Sequence, residues 1–389
     1  MAKKEKIVFY DLTNILSKDC VYSIIYGERS NGKTYAVCKH FLEEYAESKK
    51  EIAIIRRFET EFTKGKGKEI FDNLIYNEYV GNQVEVIFKG RYNFIEYISG
   101  RWYLEYRKDL VSDKYAKKER IRGEDELENK VGTIRMKNPF AYAFALNLET
   151  SYKSGKGYPY VKNILFDEFI TRDLPLINEF TIFQNLLSTI IRKKEDCKIF
   201  MCGNTINKYS EYFEEMGLNH VRQQKQGTID VYKYGDTELS VAVEFSDSPV
   251  KTKQQTKYFA FDNPKIKMIT TGTWEIDIYP HLPEEFVPKD VVLTYYIEFH
   301  EDILECKIIA KKDKTFTFIH RKTTPIKEDN TRRVYSINTN VKPNYRRNIL
   351  KPLSKQDSII LSYFKKDKVF YQNNEIGNIV DNYLKWCIR

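Results

Sequence analysis

The sequence predicts an α/β protein in which a domain with a mostly parallel sheet flanked by helices is followed by a smaller α+β domain. In the first half, apolar strand-like segments alternate with helical patterns, and several strands end in polar residues. In the second half, three strand-like segments follow one another and two helices close the chain. At 389 residues the chain can form two cores, and we expect domains at 1–249 and 286–389 joined by a linker region at 250–285.

The first of these strands leads into a glycine-rich loop. Residues 21–26 are β-branched or aromatic, and Gly27–Thr34 matches G-x-x-x-x-G-K-[ST] at every fixed position. A loop between a strand and a helix can surround a phosphate with backbone N–H groups, while its lysine reaches the β- and γ-phosphates and its hydroxyl holds Mg²⁺. We therefore predict a nucleoside triphosphate site formed by Gly27, Glu28, Arg29, Ser30, Asn31, Gly32, Lys33, Thr34 and Tyr35.

Two acids end a later apolar strand. Asp167 is placed to bind Mg²⁺, and Glu168 is placed to activate a water molecule against the γ-phosphate. A P-loop kinase or GTPase does not need the second acid, so the pair favours a hydrolase that carries its own catalytic glutamate (the ASCE class). The next strand ends near Asn204, which could sense the γ-phosphate, hold the attacking water or simply form a turn.

Arginines end two other predicted elements. Arg56 and Arg57 follow the second strand, where they could contact a phosphate or a neighbouring subunit, or simply be solvated. A helix with an apolar face ends at Arg192. That side chain could stabilise the helix C-terminus, or it could reach a neighbouring subunit's γ-phosphate as an arginine finger.

The segment 58–144 is less regular and is interpreted as a lid or β-insertion in the first domain. Thr63–Lys68 is predicted to be a flexible basic loop and Val84–Phe88 a strand. The formal net charge of +9 favours a polyanionic partner, with nucleic acid as the first candidate. The candidate nucleic-acid contacts are lysines in two basic loops: Lys64, Lys66, Lys68, Lys153 and Lys156.

Cysteine usage and hydropathy indicate the compartment. The six cysteines contain no C-x-x-C pair, and the N-terminus does not resemble a signal peptide. We therefore expect free thiols in a reducing cytoplasm. No apolar run reaches the length of a membrane span, so we expect no membrane association, and the histidines do not cluster as zinc ligands.

The motifs and their order along the chain resemble those of the DNA-packaging ATPases of small podophages, the phi-29 type. These proteins are relatives of the large terminase motors. The resemblance is specific over residues 9–213. It depends on an arginine at the third loop position, on Ile55–Phe58, Tyr152–Ser154 and Phe166–Ile170, and on the elements that end at Arg192 and Asn204.

This resemblance implies roles for the candidate residues. Lys33, Thr34 and Asp167 would bind Mg·ATP, with Lys33 also acting in catalysis. Glu168 would be the catalytic base, and Arg192 would be a finger acting on the neighbouring site. Arg29 would lie near the γ-phosphate, and Lys153 would reach a subunit boundary or DNA.

The resemblance also implies partners and a location. The partners would be double-stranded DNA, the portal of the prohead, a structural RNA, and copies of the same chain in a ring of five. The protein would package a viral genome in the cytoplasm of the infected bacterial host, on the prohead only transiently and outside the mature virion.

The second domain resembles the ribonuclease H-like nuclease domain of large terminases. Glu298 and Asp381 are the acids available to it, and without a third acid at a strand end we expect a degenerate nuclease that binds DNA, a structural RNA or the portal. Two alternatives stay open: another nucleic-acid-dependent ring ATPase, such as a helicase, and a nucleotide-gated nucleic-acid-binding protein with an active nuclease tail.

Overall fold

The structure is a computed structural model that describes residues 10–29, 31–116, 120, 122–128, 132–153, 157–171, 175–247, 277–282, 284–312, 314–326 and 331–388. The chain divides into two compact units, Met1–Trp274 and Glu275–Arg389. The division falls within 250–285, the predicted linker region, most of which lies outside the described residues.

The first unit is built on one large sheet. Its strands are β1 (Tyr22–Gly27), β2 (Glu51–Arg56), β3 (Phe94–Ile98), β4 (Arg101–Tyr106), β5 (Glu126–Glu128), β6 (Ile134–Met136), β7 (Ala141–Ala145), β8 (Val161–Asp167), β9 (Lys198–Asn204), β10 (Thr228–Lys233) and β11 (Ser240–Ser246). The central strands β11-β1-β9-β8-β2-β7 are parallel, and antiparallel strands extend the sheet on both sides. The predicted mostly parallel sheet is therefore confirmed.

Both faces of the central strands are covered, which explains their continuous apolar composition. β1 is buried at every position. Ile25 and Ile54 belong to one buried cluster, whereas their neighbours Ile24 and Ile55 belong to a second. Because successive side chains of a strand point to opposite faces, the two clusters form a core on each side of the sheet.

Helices cover the two faces. They are α1 (Thr13–Leu16), α2 (Lys33–Ser48), α3 (Lys64–Ile75), α4 (Gln83–Ile87), α5 (Glu179–Ile191) and α6 (Glu211–Glu215). α2 contributes Val37 and Phe41 to the first cluster, and α5 contributes Phe183 and Leu186 to the second. The helices predicted after the glycine-rich loop and before Arg192 are thus confirmed.

The segment 58–144 contains more helix than predicted. Thr63–Lys68 was expected to be a flexible loop, but α3 begins at Lys64, and most of Val84–Phe88 belongs to helix α4 rather than to a strand. Tertiary packing explains the first error, because the Gly67 carbonyl accepts a hydrogen bond of 2.8 Å from the Trp102 indole. Asn82 explains the second, because its side chain caps α4 by accepting from the Glu85 N–H at 3.0 Å.

The lysines of this segment therefore project from a helix. Lys64 and Lys66 are exposed. Lys68 is half-buried, with its ammonium 3.9 Å from a Glu96 carboxylate oxygen. Only Lys64 and Lys66 of these three are left on open surface. The Lys153 side chain and Lys156 lie outside the described residues.

The second unit contains a smaller sheet with two helices. Its elements are β12 (Val291–Phe299), β13 (Asp302–Lys311), β14 (Lys314–Arg321), β15 (Val334–Ser336), β16 (Tyr345–Arg346), α7 (Lys355–Lys365), β17 (Val369–Tyr371) and α8 (Asn374–Ile388). The order is β16-β15-β12-β13-β14-β17. β12–β14 form an antiparallel meander, and β15 lies parallel to β12. This confirms the three predicted strands and both terminal helices, in an arrangement that agrees with a ribonuclease H-like domain.

The structure can be compared with two expectations from composition, which concern the cysteines and the membrane-spanning segments. All six cysteines are free and buried. Within the described part of the chain, no helix is both long and apolar enough to cross a membrane.

Candidate nucleotide-binding site

The parallel strands bring the predicted site residues to one edge of the first sheet. β9 lies between β1 and β8, and the register pairs Gly27 with Asn204 and Asp167 with Cys202. Because all three strands run in the same direction, their carboxyl ends meet at this edge, where open α/β sheets bind ligands. The glycine-rich loop, the acids and Asn204 are therefore neighbours.

Two glycines allow the loop its path. A Cβ on Gly27 would lie 2.3 Å from the Ser246 hydroxyl oxygen, so only glycine fits at the end of β1. Gly32 has φ of 90° at the N-cap of α2, a left-handed conformation that favours glycine. The first turn of α2 then begins at Lys33, and the first N–H groups of a helix have no carbonyl partner within the helix, which suits them to a phosphate.

The Lys33 ammonium is held inside the loop. It donates to the Glu28 carbonyl at 2.6 Å and to the Asn31 and Asn204 side-chain oxygens at 3.0 and 3.4 Å. Burial lowers the pKa of Lys33 to about 8, against the opposing effect of the Asp167 and Glu28 carboxylates. These partners are oxygen atoms, so the same ammonium is preorganised to donate to phosphate oxygens.

Thr34 and Asp167 form the centre of the site. The Thr34 hydroxyl donates to one Asp167 carboxylate oxygen at 2.7 Å, and Asp167 is buried. Mg²⁺ prefers such oxygen ligands and takes few of them from the protein when phosphates supply the others. Among the described residues no group of three or more histidine, cysteine or acidic side chains could hold a metal by itself. The pair therefore fits an ion that arrives with a triphosphate.

Arg56 contacts the acids of the site within the same chain. It donates to the second Asp167 carboxylate oxygen and lies 3.8 Å from the carboxylates of both Glu168 and Glu61. Its side chain is only 19% exposed. Solvation of a strand-end charge, one of the options for Arg56, is therefore wrong.

Arg57 faces away from Arg56 and is buried. It forms a two-pronged ion pair with Glu179, at 2.7 and 2.8 Å. Solvation is wrong for this arginine as well, and its partner lies on α5. The composition of the strand end gave no signal that the two arginines would differ.

Glu168 follows Asp167 but has a different environment. Its φ is 59°, in the left-handed region, and its carboxylate lies 3.8 Å from the same Arg56 guanidinium that contacts Asp167. The carboxylate is 57% exposed, compared with 4% for Asp167. An exposed carboxylate beside a buried metal-ligand candidate is suited to contact water.

Residues of the glycine-rich loop line an open cleft of about 710 Å³ together with Asp167, Glu168 and Asn204. One part of its wall, Asn73–Tyr79, was not predicted, although it includes two tyrosines that are each 58% exposed. No motif marks this turn, because it joins the cleft only through the packing of α3. The other lining residues are Arg29, Asn31, Gly32, Lys33, Thr34, Tyr35, Asp167, Glu168, Cys202, Gly203 and Asn204.

The remaining candidates occupy different positions. Glu28 is buried and contributes its carbonyl to Lys33, whereas Ser30 lies outside the described residues. Arg192 is exposed at the C-terminal cap of α5, and its N–H donates to the Ser188 carbonyl at 3.1 Å. It is not among the described residues that line the cleft of its own chain.

Comparisons with known proteins identify the family of the chain. The chain is 25% identical over 242 residues to a DNA packaging protein of Bacillus phage B103, covering 61% of this chain and 60% of that protein. It is 23% identical over 254 residues to a DNA packaging protein of Bacillus phage phi29, covering 64% of this chain and 61% of that protein. The alignments thus span about three fifths of these relatives' own lengths.

One solved structure has the same fold over nearly the whole chain. The bacteriophage Phi-29 viral genome packaging motor assembly aligns with a TM-score of 0.50 and 18% identity, covering 98% of this chain and 99% of that chain. At this identity the likeness concerns the fold alone. Family membership rests on the sequence match to the podovirus DNA encapsidation proteins, which extends over residues 4–121 and 126–385. The chain therefore belongs to the podovirus DNA encapsidation protein (Gp16) family.

Proposed function

We propose that this protein is an ATPase that drives double-stranded DNA into a viral prohead. The observation that carries the proposal is the convergence of Lys33, Thr34, Asp167 and Glu168 on one cleft at the carboxyl edge of a parallel sheet. Membership of the DNA encapsidation family supports DNA as the cargo, and so does the net charge of +9.

In this proposal each residue has a chemical role. Loop N–H groups and the Lys33 ammonium would bind the phosphates. Thr34 and Asp167 would hold Mg²⁺, and its charge would offset the negative charge of the phosphates. Glu168 accepts a proton from the attacking water. Its carboxylate is 57% exposed, so water can reach it, and it lies 3.8 Å from the Arg56 guanidinium.

The proposal includes a ring of identical subunits, with five expected. Arg192 is exposed at the C-terminal cap of α5 and would complete the neighbour's site as an arginine finger. The ring would act on the portal of the prohead in the infected cell, where a structural RNA is a further proposed partner. The second unit would bind DNA, that RNA or the portal without cutting DNA.

The first experiment measures ATP turnover with and without double-stranded DNA and empty proheads. The wild-type protein should be stimulated by both. Glu168→Gln should retain ATP affinity and lose about 10²- to 10⁴-fold in kcat, because the amide cannot accept the proton. Turnover near the wild-type rate in this variant would rule out Glu168 as the base.

The second experiment tests the finger by mixing subunits. Glu168→Gln rings lack the base, and Arg192→Ala rings lack the finger, so each alone should be inactive. Mixed rings contain interfaces with an intact base on one side and an intact finger on the other, so ATPase activity should reappear. If no mixing ratio restores activity, Arg192 does not act across the interface.

A further inference from the structure

The buried pair of Arg57 and Glu179 lies just behind the catalytic edge. Arg57 Nε donates to Glu179 Oε2 at 2.7 Å and Nη2 donates to Oε1 at 2.8 Å. The Tyr212 hydroxyl and the Leu176 N–H donate to the same carboxylate at 2.9 and 2.8 Å. Glu179 is fully buried, so its charge is neutralised and hydrogen-bonded but does not face the cleft.

A buried ion pair contributes little to the stability of a protein by itself. Removing two charges from water costs several kcal/mol per ion, and apolar residues of similar volume often stabilise a core as well or better. What the pair does provide is fixed geometry, because a planar guanidinium binds a carboxylate in one orientation. The important question is therefore what the pair positions.

On one side the pair holds the backbone at the catalytic glutamate. Arg57 also donates to the Phe169 carbonyl at 2.9 Å and to the Glu168 carbonyl at 3.3 Å. Glu168 has φ of 59°, a left-handed conformation that residues with a side chain adopt rarely. Arg57 thus stabilises the turn that directs the Glu168 carboxylate into the cleft.

On the other side the pair fixes the start of α5. Glu179 is the first residue of this helix, and Arg192 is its C-terminal cap. A helix of 13 residues is a rod about 20 Å long, so anchoring its first residue also sets where its far end lies. The same ion pair therefore links the proposed base to the helix that presents the proposed finger.

We infer that Arg57 and Glu179 are positioning residues that set both the Glu168 carboxylate of their own subunit and the Arg192 guanidinium offered to the next. The inference rests on the proposed function. It joins the hydrolytic site of one subunit to that of its neighbour through a rigid connection inside each chain. A displacement of Glu168 when the phosphates change is then transmitted to α5 and to the adjacent site.

The test uses Glu179→Gln in the full-length protein. The glutamine keeps the size of the side chain and removes the charge that orients Arg57. We expect kcat for ATP hydrolysis to fall about 10- to 100-fold while KM stays within about twofold, as for groups misplaced by a fraction of an ångström. Glu215→Gln, which changes an exposed acid on α6, is the matched control and should leave both constants unchanged.

Mixed rings separate positioning from a purely structural role. Glu168→Gln with Arg192→Ala should regain activity, whereas Glu179→Gln with Arg192→Ala should not. In the second mixture a correctly placed base occurs only in the Arg192→Ala subunits, and the only fingers offered to those subunits are the displaced ones of Glu179→Gln neighbours. Recovery in the second mixture would overturn the link to Arg192. A lower melting temperature with unchanged kcat would overturn the positioning role altogether.

Arg57→Lys provides a second variant if Glu179→Gln folds poorly. Lysine retains the charge but not the two-pronged geometry, so it should reproduce the loss of kcat. If the mixture of Glu168→Gln and Arg192→Ala also fails, the trans finger of the proposed function is wrong. The kcat of Glu179→Gln alone then still decides whether the pair positions the base.

Discussion

The two units use charged residues in opposite ways. In the first unit, parallel strands end at one edge, so acids and bases separated widely in sequence meet in one cleft. In the second unit, the antiparallel meander places successive strand ends at opposite edges. There the buried acid is Asp357, which the Arg333 guanidinium approaches to 2.9 Å, while Asp381 pairs at the surface with Lys385, also at 2.9 Å.

Strand direction therefore decides whether polar residues from distant strands come together. Similar residue types meet in one cleft when the sheet gathers the strand ends, and form separate ion pairs when it does not. Variants of both units test this contrast, beginning with the change that should have the greatest effect.

Asp167→Asn should cause the largest loss. A metal ion contributes several kcal/mol to the transition state, and each 1.4 kcal/mol is tenfold in rate, so kcat should fall at least about a hundredfold. Glu298→Gln, the corresponding change of a candidate acid in the second unit, should leave ATPase activity intact. Steady-state ATP hydrolysis measures both, and equal losses would contradict the contrast.

Asp357→Ala should destabilise the second unit by about 3–5 kcal/mol, because it leaves the Arg333 charge without its partner. Asp381→Ala, which removes a half-buried pair with Lys385 and a hydrogen bond with Tyr279, should cost less than Asp357→Ala because both groups of its ion pair still reach solvent. Chemical denaturation followed by a signal from the second unit would distinguish them. Comparable losses would mean that burial does not separate the two acids.

The contribution of Asp357 to the stability of the second unit should also depend on pH. Despite burial, hydrogen bonds from Ser354 and Tyr335 and the charge of Arg333 lower the pKa of Asp357. Its contribution to stability is therefore present above the ordinary aspartate pKa and is lost as the pH falls through the lowered value. In Asp357→Ala this part of the acid sensitivity should disappear.

Gly27→Ala should destabilise the first unit by about 1–3 kcal/mol, because the new Cβ would meet Ser246 in a packed interior. Gly157→Ala is the control, since nothing lies within 4 Å of its Cβ position, and it should change stability by less than about 0.5 kcal/mol. Thermal unfolding compares the two. A neutral Gly27→Ala would show that the loop can move away from β11.

The smallest expected effect is a decrease of kcat/KM for ATP at basic pH, the basic limb of its pH profile. In the proposed mechanism the protonated form of Lys33 binds phosphate, and this form is present below its pKa of about 8 and is lost above it. Thus kcat/KM for ATP should be about twofold lower at pH 8 than at pH 7, because half of Lys33 is deprotonated at its pKa. Lys33→Arg keeps its charge in this range and should lack the limb, whatever its overall activity. A limb that persists in Lys33→Arg belongs to another group.

The sequence alone predicted the glycine-rich loop, the paired acids and the apolar strands that lead into them. These features are local, because Gly27–Thr34 and Asp167–Glu168 are contiguous residues in strand contexts that apolar patterns reveal. The buried strands and the amphipathic helix α5 were predictable for the same reason.

Only the tertiary structure decided how the adjacent arginines differ. The partner of Arg56 lies 111 residues away and that of Arg57 lies 122 residues away, and no local pattern specifies either contact. Likewise, Lys64–Lys68 forms a helix and Asn73–Tyr79 reaches the cleft because α3 packs against distant strands. Burial and long-range pairing override local composition at these positions. The sequence therefore predicts which residues belong to the candidate site, and the tertiary structure determines which residues they contact.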